Sequence, residues 1–339
     1  MGNPQHHFIL YSSAPFLLLL LTAPVSTSAN ERCHPDDKKV LLGIQKYYKN
    51  AYIFSSWSAS TDCCTDWYMV GCDETTNRIK YLTVQKDGLS GVIAPAVGDL
   101  PYLTSLDFHK LPNITGPIPA SIAKLSRLES LTLDYNSLTG PIPEYLHTLK
   151  KLNYINLSFN KLSGSTPASL PLTPSLDYLR LDHNMLTGSI PDTIGSIKNG
   201  EIYGLYLSYN QLTGTIPNAL GKLNITVLYL SKNKLTGDAS FLFGKNKPAN
   251  QMDLSRNQLS FDFSKVEIPS EINWLLLDHN QIYGSLPASL TKLTNMNNFN
   301  VSYNRLCGKI PNGGRLGEFN KYSFIHNKCL CGSPLDACK

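Results

Sequence analysis

Leucine and isoleucine recur along most of this chain. In short segments they alternate with polar residues, and these segments repeat at a regular spacing. Three clear examples are LESLTLDYNSLTGPIP from Leu128, LDYLRLDHNMLTGSIP from Leu176 and IYGLYLSYNQLTGTIP from Ile202. At the centre of each segment, apolar and polar residues alternate, which predicts a short β-strand with leucine inward and polar side chains outward. One such segment cannot bury its leucines alone, so the pattern predicts many copies stacked on a shared core.

The copies keep one spacing over most of the chain. A glycine occupies the same slot of nine units, and Phe261 takes it in the remaining unit, so that neighbours are 23 to 26 residues apart. The glycines are Gly91, Gly116, Gly140, Gly164, Gly188, Gly214, Gly237, Gly284 and Gly308. A period in the twenties with this leucine pattern predicts leucine-rich repeats. We therefore expect an α/β solenoid of ten units over residues 79–311, forming a right-handed superhelix. The T-G-x-I-P segments resemble the plant-type repeat, which adds a second short strand before a helical return.

An asparagine ends nearly every predicted strand. Buried, its amide can bond to the turning backbone, whose polar groups must not be left without partners. We interpret these residues as a structural ladder: Asn136, Asn160, Asn184, Asn210, Asn233, Asn257, Asn280 and Asn304.

The first 30 residues differ from the rest of the chain. They contain no Lys, Arg, Asp or Glu and carry an apolar run from Phe16 to Leu21. This predicts a secretory signal peptide over residues 1–30. The alternative, an uncleaved membrane anchor, requires about 18 or more apolar residues, and this run is shorter. We expect a secreted product without a membrane span.

All eight cysteines lie towards the two ends of the repeat region. Solenoid ends need caps, and disulfides suit such caps in an oxidising compartment. We predict disulfide-bonded caps over residues 31–78 and 312–339. A metal site is the alternative, but paired C-x-x-C spacing is absent. The expected pairs are Cys33–Cys63, Cys64–Cys72, Cys307–Cys329 and Cys331–Cys338, and the sequence alone leaves other connectivities open.

The N-terminal cap contains an amphipathic segment. DDKKVLLGIQKYYK from Asp36 to Lys49 places apolar residues on one helical face, and its leading aspartates favour a helix start. We expect this helix to cover the first repeat, with Trp57 and Trp67 packed beneath it.

The sequence gives little support for a catalytic activity. His183 and His279 share a repeat position, but four strand spacings, roughly 19 Å, would separate them. Nucleophile, phosphate-loop and zinc motifs are absent, so we expect neither an enzyme nor a cofactor. The net charge of +5, from 30 basic and 25 acidic residues, argues against a nucleic-acid binder. Attraction to an anionic polymer stays open, with Lys38, Lys39, Lys245, Lys247 and Arg315 as candidates.

The outward positions of the middle repeats carry aromatic and charged side chains. Tyr178, Tyr203, Tyr206 and Tyr229 fall on neighbouring predicted strands. Tyrosine, tryptophan and arginine are the usual anchors of protein interfaces, so we predict a partner-binding face. The alternative is plain stacking that stiffens the sheet. The predicted contact residues are Asn156, Tyr178, Arg180, Asp182, His183, Tyr203, Tyr206, Ser208, Thr226, Tyr229, Lys232, Gln251, Asp253 and Arg256.

Four N-x-S/T sequons occur, at Asn113, Asn156, Asn224 and Asn300, and they are candidate N-glycosylation sites. The repeat consensus alone can generate the sequons of Asn156 and Asn300. A glycan on Asn156 would also conflict with an interface there.

Several longer motifs identify a family. They are C-x-P-x-D-K-x-x-L-L-x-I at 33–44, D-C-C-x-x-W at 62–67, G-D-A-S-x-L-F-G at 237–244, N-Q-L-S-F-D-F-S-K-V at 257–266 and N-K-C-L-C-G-S-P-L at 327–335. In these motifs the chain resembles plant polygalacturonase-inhibiting proteins over nearly all of its mature length.

The resemblance implies a cell-wall defence protein of the apoplast. Such proteins bind fungal, and some insect, endo-polygalacturonases with the concave sheet and slow the breakdown of pectin. Pectin itself, as homogalacturonan, is a further expected partner. The implied contacts include Tyr178, Arg180, Asp182, Tyr206, Tyr229, Gln251 and Asp253. Asn156 and Tyr229 stand where an acidic residue is expected, which leaves the target enzymes open.

Two other functions stay open at this point. N-R-I at 77–79 and D-F-H-K-L-P-N at 107–113 also look similar to an ice-binding antifreeze branch of the same architecture. Ice would favour a flat, regular array of Thr and Asn, whereas the predicted concave face is irregular and aromatic. The other alternative is a soluble adaptor for receptor-kinase signalling.

Overall fold

The computed structural model describes residues 32–86 and 88–339. The predicted signal peptide, residues 1–30, lies outside this part of the chain. In the described part, one α-helix, α1 (Pro35–Tyr47), precedes 22 strands. These are β1 (Val70–Cys72), β2 (Ile79–Gln85), β3 (Gly91–Val92), β4 (Ser105–His109), β5 (Ile114–Gly116), β6 (Ser130–Thr132), β7 (Ser137–Gly140), β8 (Tyr154–Asn156), β9 (Lys161–Ser165), β10 (Tyr178–Arg180), β11 (Met185–Thr187), β12 (Glu201–Tyr206), β13 (Thr213–Thr215), β14 (Asn224–Tyr229), β15 (Lys234–Gly237), β16 (Gln251–Asp253), β17 (Gln258–Leu259), β18 (Trp274–Leu276), β19 (Tyr283–Gly284), β20 (Asn298–Asn300), β21 (Arg305–Lys309) and β22 (Cys329–Cys331).

The first strands of the ten units and β1 of the N-terminal cap form one eleven-stranded sheet, the main sheet. Its strand order is β1-β2-β4-β6-β8-β10-β12-β14-β16-β18-β20. β1 is antiparallel to β2, and the ten strands from β2 onward are parallel. In-register pairing aligns Leu131 with Ile155, Leu179, Leu205 and Leu228 on successive strands. These side chains are at most 2% exposed, so the alternating pattern buries one continuous apolar column as predicted.

The second strands of the units form shorter parallel sheets in the orders β3-β5-β7-β9-β11, β13-β15-β17 and β19-β21-β22. The nine predicted glycines lie in these strands or directly after them, with positive φ angles between 75° and 119°, a conformation that L-residues with side chains rarely adopt. Phe261 stands in the slot of the one unit that lacks this glycine, the eighth, and is buried. Short 3₁₀ segments complete the units: Tyr52–Phe54, Pro95–Asp99, Ala120–Lys124, Glu144–Thr148, Leu170–Leu172, Asp192–Ser196, Lys198–Gly200, Asn218–Lys222, Ser240–Leu242, Phe263–Lys265, Ala288–Lys292, Gly314–Glu318 and Lys321–Ser323. The fold is the plant-type leucine-rich repeat that the sequence predicted.

The asparagine ladder holds adjacent units together. Asn184 is 8% exposed, and its side-chain oxygen accepts the Leu162 N–H of the preceding unit at 3.0 Å. Its amide donates to the carbonyls of Leu157 at 2.9 Å and Leu181 at 3.1 Å. The equivalent asparagines repeat these bonds along the chain. The predicted structural role is therefore confirmed, because these amides satisfy the buried turn backbone.

The N-terminal cap is fastened to the first repeat by a buried ion pair. Asp37, in α1, is 1% exposed and accepts two hydrogen bonds from Arg78, at 2.9 and 2.7 Å, and one from the Ile79 N–H at 2.8 Å. Because a buried charge needs such partners, α1 is fixed to the start of β2. Trp57 and Trp67 are buried, and their rings stack with centroids 5.3 Å apart.

The helix is shorter than the Asp36–Lys49 segment. It begins at Pro35, where the His34 side chain accepts the Asp36 N–H, and ends at Tyr47. Lys49 and Asn50 both have φ of 54°, a left-handed conformation that ends an α-helix.

Disulfides tie both caps. The structure joins Cys33 to Cys63, Cys64 to Cys72, Cys307 to Cys329 and Cys331 to Cys338. These are the expected pairs. Cys33, Cys63 and Cys64 lie close enough together to suggest a metal site, but all three are consumed in disulfides, which removes the thiolates that a metal would need.

Candidate partner-binding face

Five tyrosines cover the middle of the main sheet on its outward side, and we call Tyr154, Tyr178, Tyr203, Tyr206 and Tyr229 the tyrosine platform. They lie on the four adjacent strands β8, β10, β12 and β14. Ring centroids are 4.7 Å apart for Tyr154 and Tyr178, and 5.1 Å for Tyr178 and Tyr206 and again for Tyr206 and Tyr229. Tyr203 lies 6.2 Å from Tyr178 and is 53% exposed. The rings thus support one another and form a continuous aromatic surface.

Gly204, in the middle of β12, makes room for the platform. A Cβ atom there would lie 2.6 Å from a ring carbon of Tyr206 and 2.9 Å from one of Tyr178. These distances are too short for non-bonded carbons, so the two rings can occupy their positions only over a glycine. The sequence analysis missed Gly204, although a glycine inside a strand often marks a close approach.

The hydroxyls of Tyr154, Tyr206 and Tyr229 are neutral hydrogen-bonding groups. Burial raises the pKa of Tyr206, and the neighbouring Tyr178 raises it further. Burial likewise raises the pKa of Tyr154 and Tyr229. The Tyr229 hydroxyl donates to the side-chain oxygen of Gln251, so the predicted residue Gln251 extends the platform onto β16.

Arg180 supplies a positive charge at the centre of this surface. Its guanidinium lies 5.0 Å from the centre of the Tyr206 ring, and its Nε donates to Asp182 at 3.1 Å. Burial acts to lower the pKa of Arg180, but the hydrogen bond and charge of Asp182 outweigh burial and raise it. Arg180 is therefore a fixed, permanently charged group beside aromatic faces, a favourable cation–π arrangement.

Asp253 places a carboxyl group on the far side of the platform. It is half-buried, and its Oδ1 accepts hydrogen bonds from the Ser255 N–H at 3.0 Å and hydroxyl at 2.7 Å. Burial raises the pKa of Asp253, and the Ser255 bonds offset only part of this effect. Asp253 is thus a poorly solvated acid for which a basic group on a partner would be a favourable neighbour.

His183, Lys232 and Arg256 belong to a separate column at the ends of the strands. Each has φ between 52° and 55°. The His183 ring is stacked between Phe159 and Tyr209, with centroids 3.9 and 4.0 Å away, and the Lys232 ammonium lies 4.1 Å from the centre of the Tyr209 ring. Lys232 and Arg256 are exposed. This column borders the platform without joining it.

Three predicted contact residues are largely covered by the sheet itself. Asn156, Asp182 and Ser208 are 4%, 5% and 6% exposed. The Asn156 amide donates to Asp134 at 3.0 Å, and the Ser208 hydroxyl accepts the Ser231 N–H at 2.9 Å. Asp182 bonds Arg180 and His183. These side chains do not present a free surface to a partner, because hydrogen bonds to neighbouring side chains and backbone groups occupy them.

The same burial bears on the sequons. The nitrogen of Asn156 that a glycan would modify is inside the sheet and bonded to Asp134, which disfavours modification. Asn300 is half-buried and accepts the Ser302 N–H at 3.0 Å. Asn113 and Asn224 are exposed and stay the better candidates.

A hollow of about 410 Å³ lies where the strands begin, next to Tyr203. Its lining includes Asp177, Glu201, Asn224 and the half-buried predicted residue Thr226. Glu201 was not among the predicted contact residues, because it precedes the alternating part of its strand.

His183 follows β10 and His279 follows β18, and three other main-sheet strands lie between these two. Each histidine bonds the aspartate that precedes it, Asp182 and Asp278, at 3.0 and 2.8 Å. Each histidine therefore has its own local partner, and they do not form one site. Among residues 32–86 and 88–339, no helix has the length and apolar character that crossing a membrane requires.

Comparison with known families matches the N-terminal cap and part of the repeats. Residues 34–73 match the leucine-rich-repeat N-terminal domain, and residues 126–186 and 202–223 match leucine-rich-repeat families. The chain is 57% identical to a polygalacturonase inhibitor of Pyrus communis over 97% of this chain and 99% of that protein. It is 58% identical to polygalacturonase inhibitor 2 of Arabidopsis thaliana over 95% of this chain and 98% of that protein.

Solved structures with the same architecture have diverse roles. A plant ice-binding protein is 48% identical, with a TM-score of 0.88 over 91% of this chain and 99% of that one. The ectodomain of the Arabidopsis receptor kinase HAESA, in complex with the peptide hormone IDA and the co-receptor SERK1, is 30% identical, with a TM-score of 0.74 over 87% of this chain and 50% of that one. The architecture alone therefore does not select a function.

Proposed function

Because this chain belongs to the polygalacturonase-inhibitor family of plant leucine-rich-repeat proteins, we propose that it binds fungal endo-polygalacturonases through the outward face of the main sheet. The chain is an inhibitor-type protein and not an enzyme. Its binding to a polygalacturonase slows the breakdown of pectin, and the protein acts in defence after secretion to the cell wall.

The tyrosine platform is the observation that carries this proposal. Large aromatic side chains with a polar end are the commonest anchors of protein interfaces. Here their rings are already stacked and hydrogen-bonded in the free protein. Little side-chain entropy is then lost on binding, which favours affinity. A plain solvated sheet would not require this arrangement.

Inhibition by this face needs no covalent chemistry. A polygalacturonase must admit an extended polymer into an open cleft. A rigid sheet surface that lies across the mouth of the cleft excludes the polymer. Tyr178, Tyr206 and Tyr229 provide the contact area, and Arg180 and Asp253 provide charged groups that select complementary partners.

The experiment is to titrate the purified secreted protein into a panel of fungal endo-polygalacturonases and to measure the reducing ends released from polygalacturonic acid. Saturable loss of activity with at least one enzyme supports the proposal. Reduced and alkylated protein, which lacks intact caps, is the control and is expected not to inhibit. No effect on any enzyme of a broad panel would contradict it.

Ice binding is a second candidate, favoured by a different surface. In four units the residue directly before the turn glycine is an exposed threonine. These residues are Thr115, Thr139, Thr187 and Thr213. They form a regular hydroxyl array on the second sheets, unlike the irregular aromatic main sheet. The similarity to a plant ice-binding protein supports the same candidate. Ice recrystallisation assays on the wild type and on Thr187→Tyr test it, and equal behaviour of the two proteins would reject this surface.

A further inference from the structure

Exposed acids lie on one side of the tyrosine platform, where the strands begin. Asp177 and Glu201 are exposed, and Asp177 accepts the Tyr203 N–H at 3.0 Å. Both line the hollow beside Tyr203, and none of the eight residues that line this hollow is basic. We call Asp177 and Glu201 the acidic edge. Its carboxylates and the Tyr203 ring together form a favourable setting for a cation.

Exposed bases lie on the opposite side, where the strands end. Lys232 follows β14 and Arg256 follows β16, and both are exposed. We call this pair the basic edge. The nearby acids Asp182 and Asp278 are 5% and 7% exposed and are bonded to His183 and His279. The charge that this edge presents to a partner is therefore mainly positive.

The two edges are far enough apart to act on a bound partner separately. The strand register places five to seven residues between them, which corresponds to roughly 20 Å or more of extended chain. The screening length at physiological salt is about 8 Å, so each edge is felt mainly by the groups directly opposite. The tyrosine platform lies between the edges and contributes apolar contact that does not itself fix a direction.

We propose that the acidic and basic edges orient the bound enzyme on the tyrosine platform. The partner that fits presents basic side chains to Asp177 and Glu201, and acidic side chains to Lys232 and Arg256. This inference rests on the proposed function, because it concerns how the same face binds its enzyme. Charge complementarity of this kind acts mainly on the association rate and on the choice of partner.

Two variants with opposite changes in net charge test the proposal. The first, Asp177→Asn with Glu201→Lys, keeps an acceptor for the Tyr203 N–H and makes the acidic edge positive. The second, Lys232→Gln with Arg256→Glu, makes the basic edge negative by a matching amount. Association rate constants are measured with an endo-polygalacturonase that the wild type inhibits, at low and high salt.

Both edge variants are expected to associate more slowly than the wild type, roughly 3- to 10-fold at low salt, and the difference is expected to shrink at high salt. If only the net charge of the inhibitor mattered, the two variants would change the rate in opposite directions. That outcome, or unchanged rates in both, would overturn the proposal.

Matched controls place the same charge changes on the 3₁₀ segments, away from the platform. They are Asp192→Asn with Glu144→Lys, and Lys222→Gln with Lys292→Glu. These two control variants are expected to have similar association rate constants. The difference between them is expected to be smaller than the difference between either edge variant and the wild type. Should an edge pair fail to fold, as judged by melting temperature, the single neutral variants Glu201→Gln and Arg256→Gln replace it.

The wild-type arm separates the two claims. A wild type that inhibits no enzyme contradicts the proposed function and the edge proposal with it. A wild type that inhibits normally, with edge variants whose association rates equal that of the wild type or change in opposite directions, contradicts the edge proposal alone.

Discussion

Single residues determine the shape of the tyrosine platform, and Gly204 has the clearest effect. The absence of a side chain allows the rings of Tyr178 and Tyr206 to lie over the strand. Because the rings are half-exposed, they can swing outward to relieve a clash. A substitution here therefore affects the surface more than the core.

Gly204→Ala is expected to weaken enzyme inhibition by about 1–3 kcal/mol, comparable to the loss of an interface anchor, while the melting temperature changes little. Inhibition constants and thermal melts measure the two effects. The control is Gly43→Ala, since a Cβ at Gly43 in α1 would meet nothing within 4 Å. Undiminished inhibition by Gly204→Ala would show that the ring positions are unimportant.

Asp107, on β4, is an acid that the fold accommodates poorly. Its Oδ1 is buried and has no hydrogen-bond partner within the described residues. Burial raises the pKa of Asp107 to about 6, with His109 acting to lower it and Asp134 to raise it. The folded protein thus holds this proton more tightly than the unfolded chain, where the pKa of Asp is about 3.9.

This shift predicts that the contribution of Asp107 to stability falls as pH rises from about 4 to about 6, and stays unfavourable above. Asp107→Asn is therefore expected to raise the melting temperature at pH 7 and to match the wild type near pH 3.5. Asp73→Asn is the control of opposite sign, since hydrogen bonds from Thr75 and Thr76 lower the pKa of Asp73. Equal melting of Asp107→Asn and the wild type across this pH range would refute the assignment.

The repeating elements depend on the asparagine ladder more than on any one strand. Most strands of the main sheet are three residues long, too short to be stable alone. Each ladder asparagine bonds the backbone of its own unit and of a neighbouring unit. The ladder thus transmits order from one unit to the next.

Asn184→Ala is expected to lower the free energy of unfolding by about 1–3 kcal/mol, because it leaves the buried Leu162 N–H without its partner and removes one donor from each of the carbonyls of Leu157 and Leu181. Chemical denaturation measures the loss. Asn153→Ala, at an exposed position on the neighbouring unit, is the control and is expected to change stability little. Similar losses in both variants would mean that the ladder has no special role.

The caps depend on their disulfides. A typical native disulfide contributes about 2–5 kcal/mol, and four are present here. Reducing agent is therefore expected to lower the melting temperature sharply, which calorimetry with and without reductant measures. A melt that reductant leaves unchanged would contradict the capping role of these bonds.

The sequence predicts the buried, inward side chains of each unit well, and it predicts the role of the outward side chains only in part. Inward leucines, ladder asparagines and turn glycines are required in every unit, so the period reveals them. Outward positions depend on the side chains of neighbouring strands. Asn156 and Ser208 lie at positions that the alternating pattern predicts to face outward. Both are nevertheless buried and hydrogen-bonded to residues of neighbouring units. Gly204 acts through Tyr178, a residue 26 positions away, which a single repeat cannot indicate.

The whole molecule combines a rigid scaffold with a binding face that varies along it. In-register parallel strands and capped ends leave the main sheet little freedom to rearrange. We therefore expect its outward face to bind a partner largely in the form that the free protein already has. The family relationship and the tyrosine platform lead to the same central claim, that this face binds and inhibits a polygalacturonase.

The most direct test is to measure inhibition of one endo-polygalacturonase by the wild type and by Tyr206→Ala, with thermal melts of both. We predict saturable inhibition by the wild type, binding weaker by about 1–3 kcal/mol in the variant, and nearly equal melting temperatures. Equal inhibition by the two proteins, or no inhibition by the wild type of any enzyme in a broad panel, would contradict the account.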